Sequence, residues 1–353
     1  MMAPVHPPLR LPPDWPAGAL AAALPDGRLH LRHGPIELLI TAEGTGEAQR
    51  AATRTALATF ATVLTGLVAE LEALRRPAGS AAGALEGPIA RRMLGAVAPL
   101  AGERFVTPMA AVAGAVADHV AGAMWAAAPL HRLIVNNGGD VALRLAPGAT
   151  ARLLLCTDPA PGAPRAAGTV EIGAADGIGG IATSGWRGRS HSLGIADAVT
   201  VFAADAASAD AAATLVANAT DLPGEPMLAP YVERRPARAL APDSDLGDRP
   251  VTTAVAPLPV PLARAALARG RTLAASIAAR GLIHGAHLAL GREHALAGRP
   301  PHLSLPPSLP SPVTDGRRSA GGRSKARGVS PATRERAPAG QATGQAPHQE
   351  PAP

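Results

Sequence analysis

Hydrophobic positions along the chain change period near residue 130. Upstream, Leu57, Phe60, Leu64, Leu67, Leu71 and Leu74 recur at alternating spacings of three and four. That is the apolar stripe of an amphipathic helix from about Glu47 to Arg75. The stripe spans fewer than three heptads, so it faces a core rather than a coiled-coil partner. Pro88 suits the first turn of a second helix near Ile89–Val97, and Thr107-Pro108 reads as a hydroxyl cap followed by proline at the first helical position. The helix that follows carries Met109, Val112, Val116, Val120 and Met124 on one side and mostly Ala and Gly elsewhere, so a neighbour must pack close to it.

Downstream, short β-like runs appear at Leu133–Val135, Val141–Leu145, Arg152–Cys156, Thr169–Ile172, Ile181–Thr183 and Ala198–Phe202, punctuated by Gly, Pro, Asn and Asp. Helices are expected from about Ser208 to Asn218 and from Pro261 to Arg280, with strands near Val251–Val255 and His287–Leu290. Helices and strands come in blocks with few βαβ alternations. The pattern therefore predicts an α+β domain with a largely antiparallel sheet and flanking helices, over residues 28–298. Residues 1–27 read as a proline-rich arm. Residues 299–353 read as a disordered Pro/Arg/Gln-rich tail, too poor in large apolar residues to offset the entropy of ordering.

Composition narrows the picture. Of 353 residues, 47% are hydrophobic but only 2% are aromatic, so alanine must supply much of the core. The basic charge is almost all arginine, Lys325 being the one lysine, as in the codon usage of a GC-rich bacterial genome. Residues 301–353 hold seven basic and three acidic side chains, which is +4 of the net +6. The domain itself is nearly neutral, so nucleic-acid binding is not expected of it. A single cysteine, Cys156, excludes an intramolecular disulfide framework and a multi-cysteine metal site. The opening MMAPVHPPLRLPPDWPAGAL, broken by prolines, does not resemble a secretory signal. Phe105–Leu130 has the length of a membrane span but contains Pro108, Asp118 and His119, and reads as a buried helix. A cytoplasmic protein with no membrane partner is expected.

Three segments carry candidate chemistry. Asn137-Gly138-Gly139-Asp140 between two apolar runs is either a hairpin turn or a place where the backbone approaches a phosphate or flavin with Asp140 alongside. Residues 177–192, GIGGIATSGWRGRSHS, formally contain a dinucleotide-binding glycine pattern, but no helix opens there. They read as a polar loop or as an anion cradle of Thr183, Ser184, Gly185, Ser190, Arg187 and Arg189, with His191 at its border. On the next helix, Asp210 and Thr214 lie four apart on one face. They offer two hard oxygen ligands for Mg²⁺, unless Ser208 or Asp210 simply caps the helix.

Taken in order, these segments resemble the ApbE-like superfamily, best known for FAD:protein FMN transferases, and in particular its short cytoplasmic branch, an uncharacterised protein family. Asn137-Gly138-Gly139-Asp140 is similar to the superfamily's motif ending in GGD. Thr183-Ser184-Gly185 resembles its Thr-Ser-Gly element, with His191 as the histidine that follows. Val199-Thr200-Val201 is similar to its T-V strand, and Ala209-Asp210-Ala211-Ala212-Ala213-Thr214 to its metal-binding A-D-A-x-A-T. Gly114 to Asp118 resembles its glycine-to-aspartate helix. Ala113 stands where the transferases usually carry a lysine. The resemblance implies FAD and Mg²⁺ as cofactors, with Asp210 and Thr214 on the metal. Asn137, Gly138, Gly139 and Asp140 would contact the flavin; Thr183, Ser184, Gly185 and Arg187 would contact its phosphates. His191 would serve as general base or positioning group. Transfer of FMN to an acceptor protein hydroxyl would release AMP. The other function on the same scaffold is non-catalytic flavin or nucleotide binding.

Overall fold

The computed structural model describes residues 9–304, apart from 82, 84, 103, 159–164 and 189. The chain opens with a meander of β1 (Leu20–Ala23), β2 (Leu29–His33) and β3 (Ile36–Gly44). In β2 and β3, Leu29, Leu31, Ile36, Leu38 and Ile40 are buried at every second position, as one face on a core requires. Gly34, at φ 56°, closes their two-residue turn. The sheet thus begins inside the proline-rich arm, where Trp15 also packs against Phe60, ring centroids 6.1 Å apart.

Helix α1 (Gly46–Ala69) is capped by Thr45, whose hydroxyl accepts the Ala48 N–H at 3.3 Å. The apolar stripe predicts a helix to Arg75, but α1 stops at Glu70, and Leu71–Leu74 form a separate turn. The Glu70 carboxylate turns away to accept the N–H groups of Glu86 and Gly87, at 2.6 and 2.8 Å. It thereby supports the start of α2 (Pro88–Val97), where Pro88 occupies the first turn as expected. A 3-10 turn, Pro108–Ala111, leads into α3 (Val112–Ala127). Thr107 does not cap it: its hydroxyl donates to Asp245 at 2.5 Å.

The remaining elements are β4 (Leu130–Asn137), β5 (Asp140–Leu145), β6 (Thr150–Asp158), β7 (Arg165–Gly173), β8 (Gly180–Ser184), β9 (Ala198–Ala203), α4 (Ala206–Ala219), β10 (Val232–Pro236), β11 (Pro250–Val255), α5 (Val260–Ala279), β12 (Gly285–Leu290), β13 (Glu293–Gly298) and β14 (Leu303–Ser304); β10, β13 and β14 have no counterpart among the predicted runs. Nine strands form one sheet in the order β1-β2-β3-β4-β5-β8-β9-β12-β13. Every neighbouring pair in it is antiparallel. The fold is the α+β arrangement that the block order predicts. The expected disordered tail lies outside the described residues from 305 on, and Leu303–Ser304 within it pair with β7.

Two core clusters carry the helices on one face of the sheet, the first with α1 to α3 and the second with α4 and α5. The opposite face packs Val141, Leu143, Ile181 and Phe202 against Ala151, Leu155, Val170 and Ile172 of the β6-β7-β14 sheet. Strand β9 is covered on both sides, and all six of its residues are buried. Helix α4 sits deepest, with eight alanines among its eleven buried residues. Small side chains bring backbones together there. A Cβ on Gly114 of α3 would strike the Ala206 carbonyl, and one on Gly180 of β8 would strike the Asp205 carbonyl group. The turn that starts α4 is wedged between two glycines, which is how an alanine-rich chain with few aromatics fills its centre.

The segments 46–69 and 108–127 are both long and apolar enough to cross a membrane by that criterion alone. Here both pack on the sheet, and the second buries Asp118 at 1% exposure.

Candidate functional site

A cleft of about 280 Å³ opens where the start of α3, the end of the β4–β5 hairpin and one side of α4 meet. Its polar wall is built from Asp140, His191, Asp210, Thr214 and Asn218, and its apolar wall from Phe105, Met109, Val112, Leu215 and Leu246. A strap over residues 243–249 closes one side. Asp243 pairs with Arg75 at 2.5 Å, Asp245 receives the Thr107 hydroxyl, and the Arg249 guanidinium lies 3.3 Å from the Phe105 ring centroid.

Asp210 is the centre of the polar wall. Its Oδ2 accepts the Gly114 N–H at 3.0 Å, so it caps α3 across the helix interface. It does not cap its own helix; that is done by Asp205, which accepts the Ser208 N–H at 2.8 Å and the Ser208 hydroxyl at 3.0 Å. Burial pushes the Asp210 carboxyl well above its ordinary value, and the nearby charge of Asp140 pushes the same way, against the N–H groups of Gly114 and Ala113. Two carboxylates, Asp140 and Asp210, face one cleft. Thr214 adds a hydroxyl one turn further along α4.

The hairpin does two things at once. Gly138 and Gly139, at φ 66° and 116°, form its two-residue turn, with Asn137 opposite Asp140. The Asn136 carboxamide oxygen accepts the Gly139 N–H at 2.8 Å. Asn137, buried beneath it, donates to the Ala113 carbonyl at 3.1 Å and ties β4 to the start of α3. Asp140 is thereby held at the cleft, its Oδ1 accepting the Thr183 N–H at 3.2 Å.

The segment 177–192 divides. Ser190 and His191 line the cleft, while Arg189 lies outside the described residues. Gly179 and Gly180 serve the sheet: the Gly179 N–H bonds to the Ala203 carbonyl at 3.0 Å, and Gly180 pairs with Ala142 and Ala203. Thr183, Ser184, Gly185 and Arg187 are not among the residues that line the cleft. The Thr183 hydroxyl shares a 2.9 Å bond with that of Thr200, and Gly185 packs against the Asp197 carbonyl. Arg187 lies over the Trp186 ring at 4.5 Å and pairs with Asp197 at 2.8 Å. Asp197 also accepts the Trp186 indole N–H and the Gly291 N–H.

Thr107, Asn218 and Asp245 also line the cleft, though the sequence reading assigns none of them to a site. Asn218 is reached because it follows Thr214 by one helical turn, and its oxygen accepts the Leu193 N–H at 2.8 Å next to His191. Asp245 stands in the sequence SDLGDR, whose density of turn residues is the one available sign. Among the described residues, no group of three or more His, Cys, Asp or Glu side chains is placed to hold a metal ion. What the cleft offers is two carboxylates and a hydroxyl, all hard oxygen donors, which suit Mg²⁺ or a similar cation only when a bound ligand or water completes the shell.

A family model described as "AbpE bacteria" matches residues 21–296. Proteins named "UPF0280 protein" are 43% identical over 116 residues in Methanopyrus kandleri and 40% identical over 134 residues in Methanosphaerula palustris. The matches take in 33% and 37% of this chain, and 44% and 53% of those relatives, so the chain spans about half the length of the curated relatives it matches. The crystal structure of the flavinyl transferase ApbE of Pseudomonas stutzeri in its apo form aligns over 80% of this chain and 94% of that one, at 13% identity and a TM-score of 0.32. With the family model reaching all nine strands of the main sheet, the chain belongs to the AbpE bacteria family, within the ApbE-like superfamily and its UPF0280-named branch.

Proposed function

We propose that the cleft binds a flavin nucleotide, with Asp140, Asp210 and Thr214 taking a divalent cation between the protein and the nucleotide's phosphates. One observation carries this reading. Asp140, His191, Asp210 and Thr214, drawn from three separate motifs, line one cleft. The half-apolar lining of Phe105, Met109, Val112 and Leu246 suits an aromatic ring system, and the polar wall suits the phosphate end. A bound Mg²⁺ would neutralise phosphate charge and accept the carboxylate and hydroxyl oxygens of the site as hard ligands.

A second reading, FMN transfer to a protein acceptor, is favoured by His191 lying in the same cleft as Asp210. In that chemistry an acceptor hydroxyl oxygen bonds to the FMN phosphorus, its proton passes to His191, and the phosphoanhydride bond breaks to release AMP. The four residues assigned to the flavin phosphates, Thr183, Ser184, Gly185 and Arg187, are not among those lining the cleft, so binding is the better supported of the two readings.

The purified protein's visible spectrum and an FAD titration with and without Mg²⁺ test the first reading, and chromatography for AMP tests the second. Tight flavin binding that weakens in Asp210→Ala is expected. No binding of FAD, FMN or riboflavin under either condition overturns the proposal, and AMP release abolished by His191→Ala would promote the transferase.

A further inference from the structure

We propose that Asp118 is the positioning residue of the cation site: it fixes the first turn of α4 against α3 and so aims Asp210 and Thr214 into the cleft. The inference rests on the reading of that site as one for a divalent cation.

The argument begins with a redundancy. Helix α4 already has its own cap in Asp205. Asp118 nevertheless sends a second carboxylate to the same helix start, where its Oδ2 accepts the Ala207 N–H at 2.9 Å. This carboxylate is 1% exposed. Its cationic partner is Arg144 at 3.2 Å, which is itself tied to the Leu143 and Gly179 carbonyls. Burying a carboxylate costs several kcal/mol unless its surroundings compensate. Capping alone gives no reason to bear that cost at a helix end that the half-buried Asp205 already caps.

Position does give a reason. Ala207 precedes Asp210 by three residues and Thr214 by seven, so both side chains rise from the turn that Asp118 holds, on the side reached by one and two helical turns. Asp210 returns the bond to Gly114, four residues before Asp118 on α3. The two helices are thereby locked in register by a closed pair of hydrogen bonds, and Gly114 removes the one Cβ that would hold them apart. Arg144 extends the lock to β5, the second strand of the site's hairpin, and to the residue before β8, the strand that pairs with it. Losing the Ala207 bond lets α4 slide or rotate on α3. A shift well under the length of a metal–oxygen bond separates two ligands that must meet one ion.

The test measures Mn²⁺ binding to the metal-free full chain, by the electron paramagnetic resonance of free Mn²⁺, in wild type, D118A, D118N, D205A and D210A. Wild type binds and D210A does not. D118A binds at least tenfold more weakly. D118N stays within about threefold of wild type, because the carboxamide oxygen still accepts the Ala207 N–H. D205A melts at a lower temperature but keeps its Mn²⁺ affinity, which separates positioning from ordinary capping. If D118A is folded and binds Mn²⁺ like wild type, or if D118N binds as weakly as D118A, the inference is overturned. Should D118A fail to fold, D118N decides alone, with near-wild-type affinity supporting the inference and a tenfold loss overturning it. Failure of wild type itself to bind Mn²⁺ removes the cation reading and the inference with it, an outcome distinct from a defect confined to the Asp118 variants.

Discussion

Asp118 and Asp210 cap each other's helices. Asp118 on α3 accepts the Ala207 N–H at the start of α4, and Asp210 on α4 accepts the Gly114 N–H at the start of α3, at 2.9 and 3.0 Å. Both carboxyls are buried, and burial raises both above their ordinary value. Helix starts carry partial positive charge and unpaired N–H groups, so each acid stabilises the other's helix while sitting in a place that disfavours its own charge. Val112 and Ala113 at the start of α3 and Asp210 and Thr214 of α4 line the cleft beside this crossing.

Gly114→Ala tests the closeness of that crossing. The new Cβ would meet the Ala206 backbone carbonyl, which no rotamer change can relieve. A loss of about 3 kcal/mol is expected from overpacking against backbone, read from the urea midpoint at constant slope. A midpoint within error of wild type would mean that the helices are further apart than described.

Asp210 imposes a pH dependence. Its carboxyl titrates higher in the fold than the 3.8 expected when unfolded, so the folded chain holds a proton that the unfolded chain has lost. Its contribution is therefore fully favourable below 3.8 and is lost as pH rises through the raised folded value. Asp210→Asn keeps an oxygen for the Gly114 N–H and removes the titration. In EDTA, the variant's stability relative to wild type should climb as pH rises from 4 to 8. A constant difference across that range would contradict the assignment.

His287 works in the opposite direction. It is 1% exposed on β12, and its Nε2 lies 3.0 Å from the His294 Nδ1. Burial, with a smaller effect of His294, lowers it from 6.5 to about 4. The stability gained by keeping it neutral is present above 6.5 and is lost as pH falls through about 4. The total approaches about 3 kcal/mol. NMR titration of the ring should show no protonation at pH 5.5, and His287→Gln should flatten the acid limb of the stability profile. A ring that titrates near 6.5 would refute this.

The strap over the cleft hangs partly on one hydroxyl. Thr107→Val removes the donor to Asp245 without changing volume much. About 1 kcal/mol of strap closure should go with it, which is roughly a fivefold rise in the open population. Limited trypsin digestion at Arg238, which pairs with Asp248 of the strap, should quicken by that factor while the global melting temperature moves little. Unchanged cleavage would show that Arg75–Asp243 and Arg249–Phe105 hold the strap without it.

Local pattern carried much of this molecule. Alternation, turn residues and the three-four stripe located most of the strands and the longer helices, because each of those signals reflects a single element meeting one apolar face. The same pattern ran α1 on to Arg75, since Leu71 and Leu74 continue the stripe; the break at Glu70 comes from the N–H groups of Glu86 and Gly87, sixteen and seventeen residues away. Thr107 reads as a helix cap by every local rule, and is drawn instead to Asp245, 138 residues downstream. Residues 177–180 show the same limit: glycines suggest an anion cradle, yet Gly180 is there to admit the Asp205 turn.

The sequence by itself determined the α+β class, the hairpin at Gly138-Gly139 and the pairing of Asp210 with Thr214 on one helix face, since each depends on residues within a few positions of one another. Only the tertiary structure decided which of these share a cleft. It brought Asp140, His191 and Asp210 to one cleft and left Thr183 and Arg187 in contacts with Thr200 and Asp197. It also turned Asp118 and Asp210, 92 residues apart in the chain, into reciprocal caps. The reason is physical: an unpaired N–H takes whichever acceptor the packing presents, and packing around Gly114, Gly180 and the alanines of α4 is a property of the whole core.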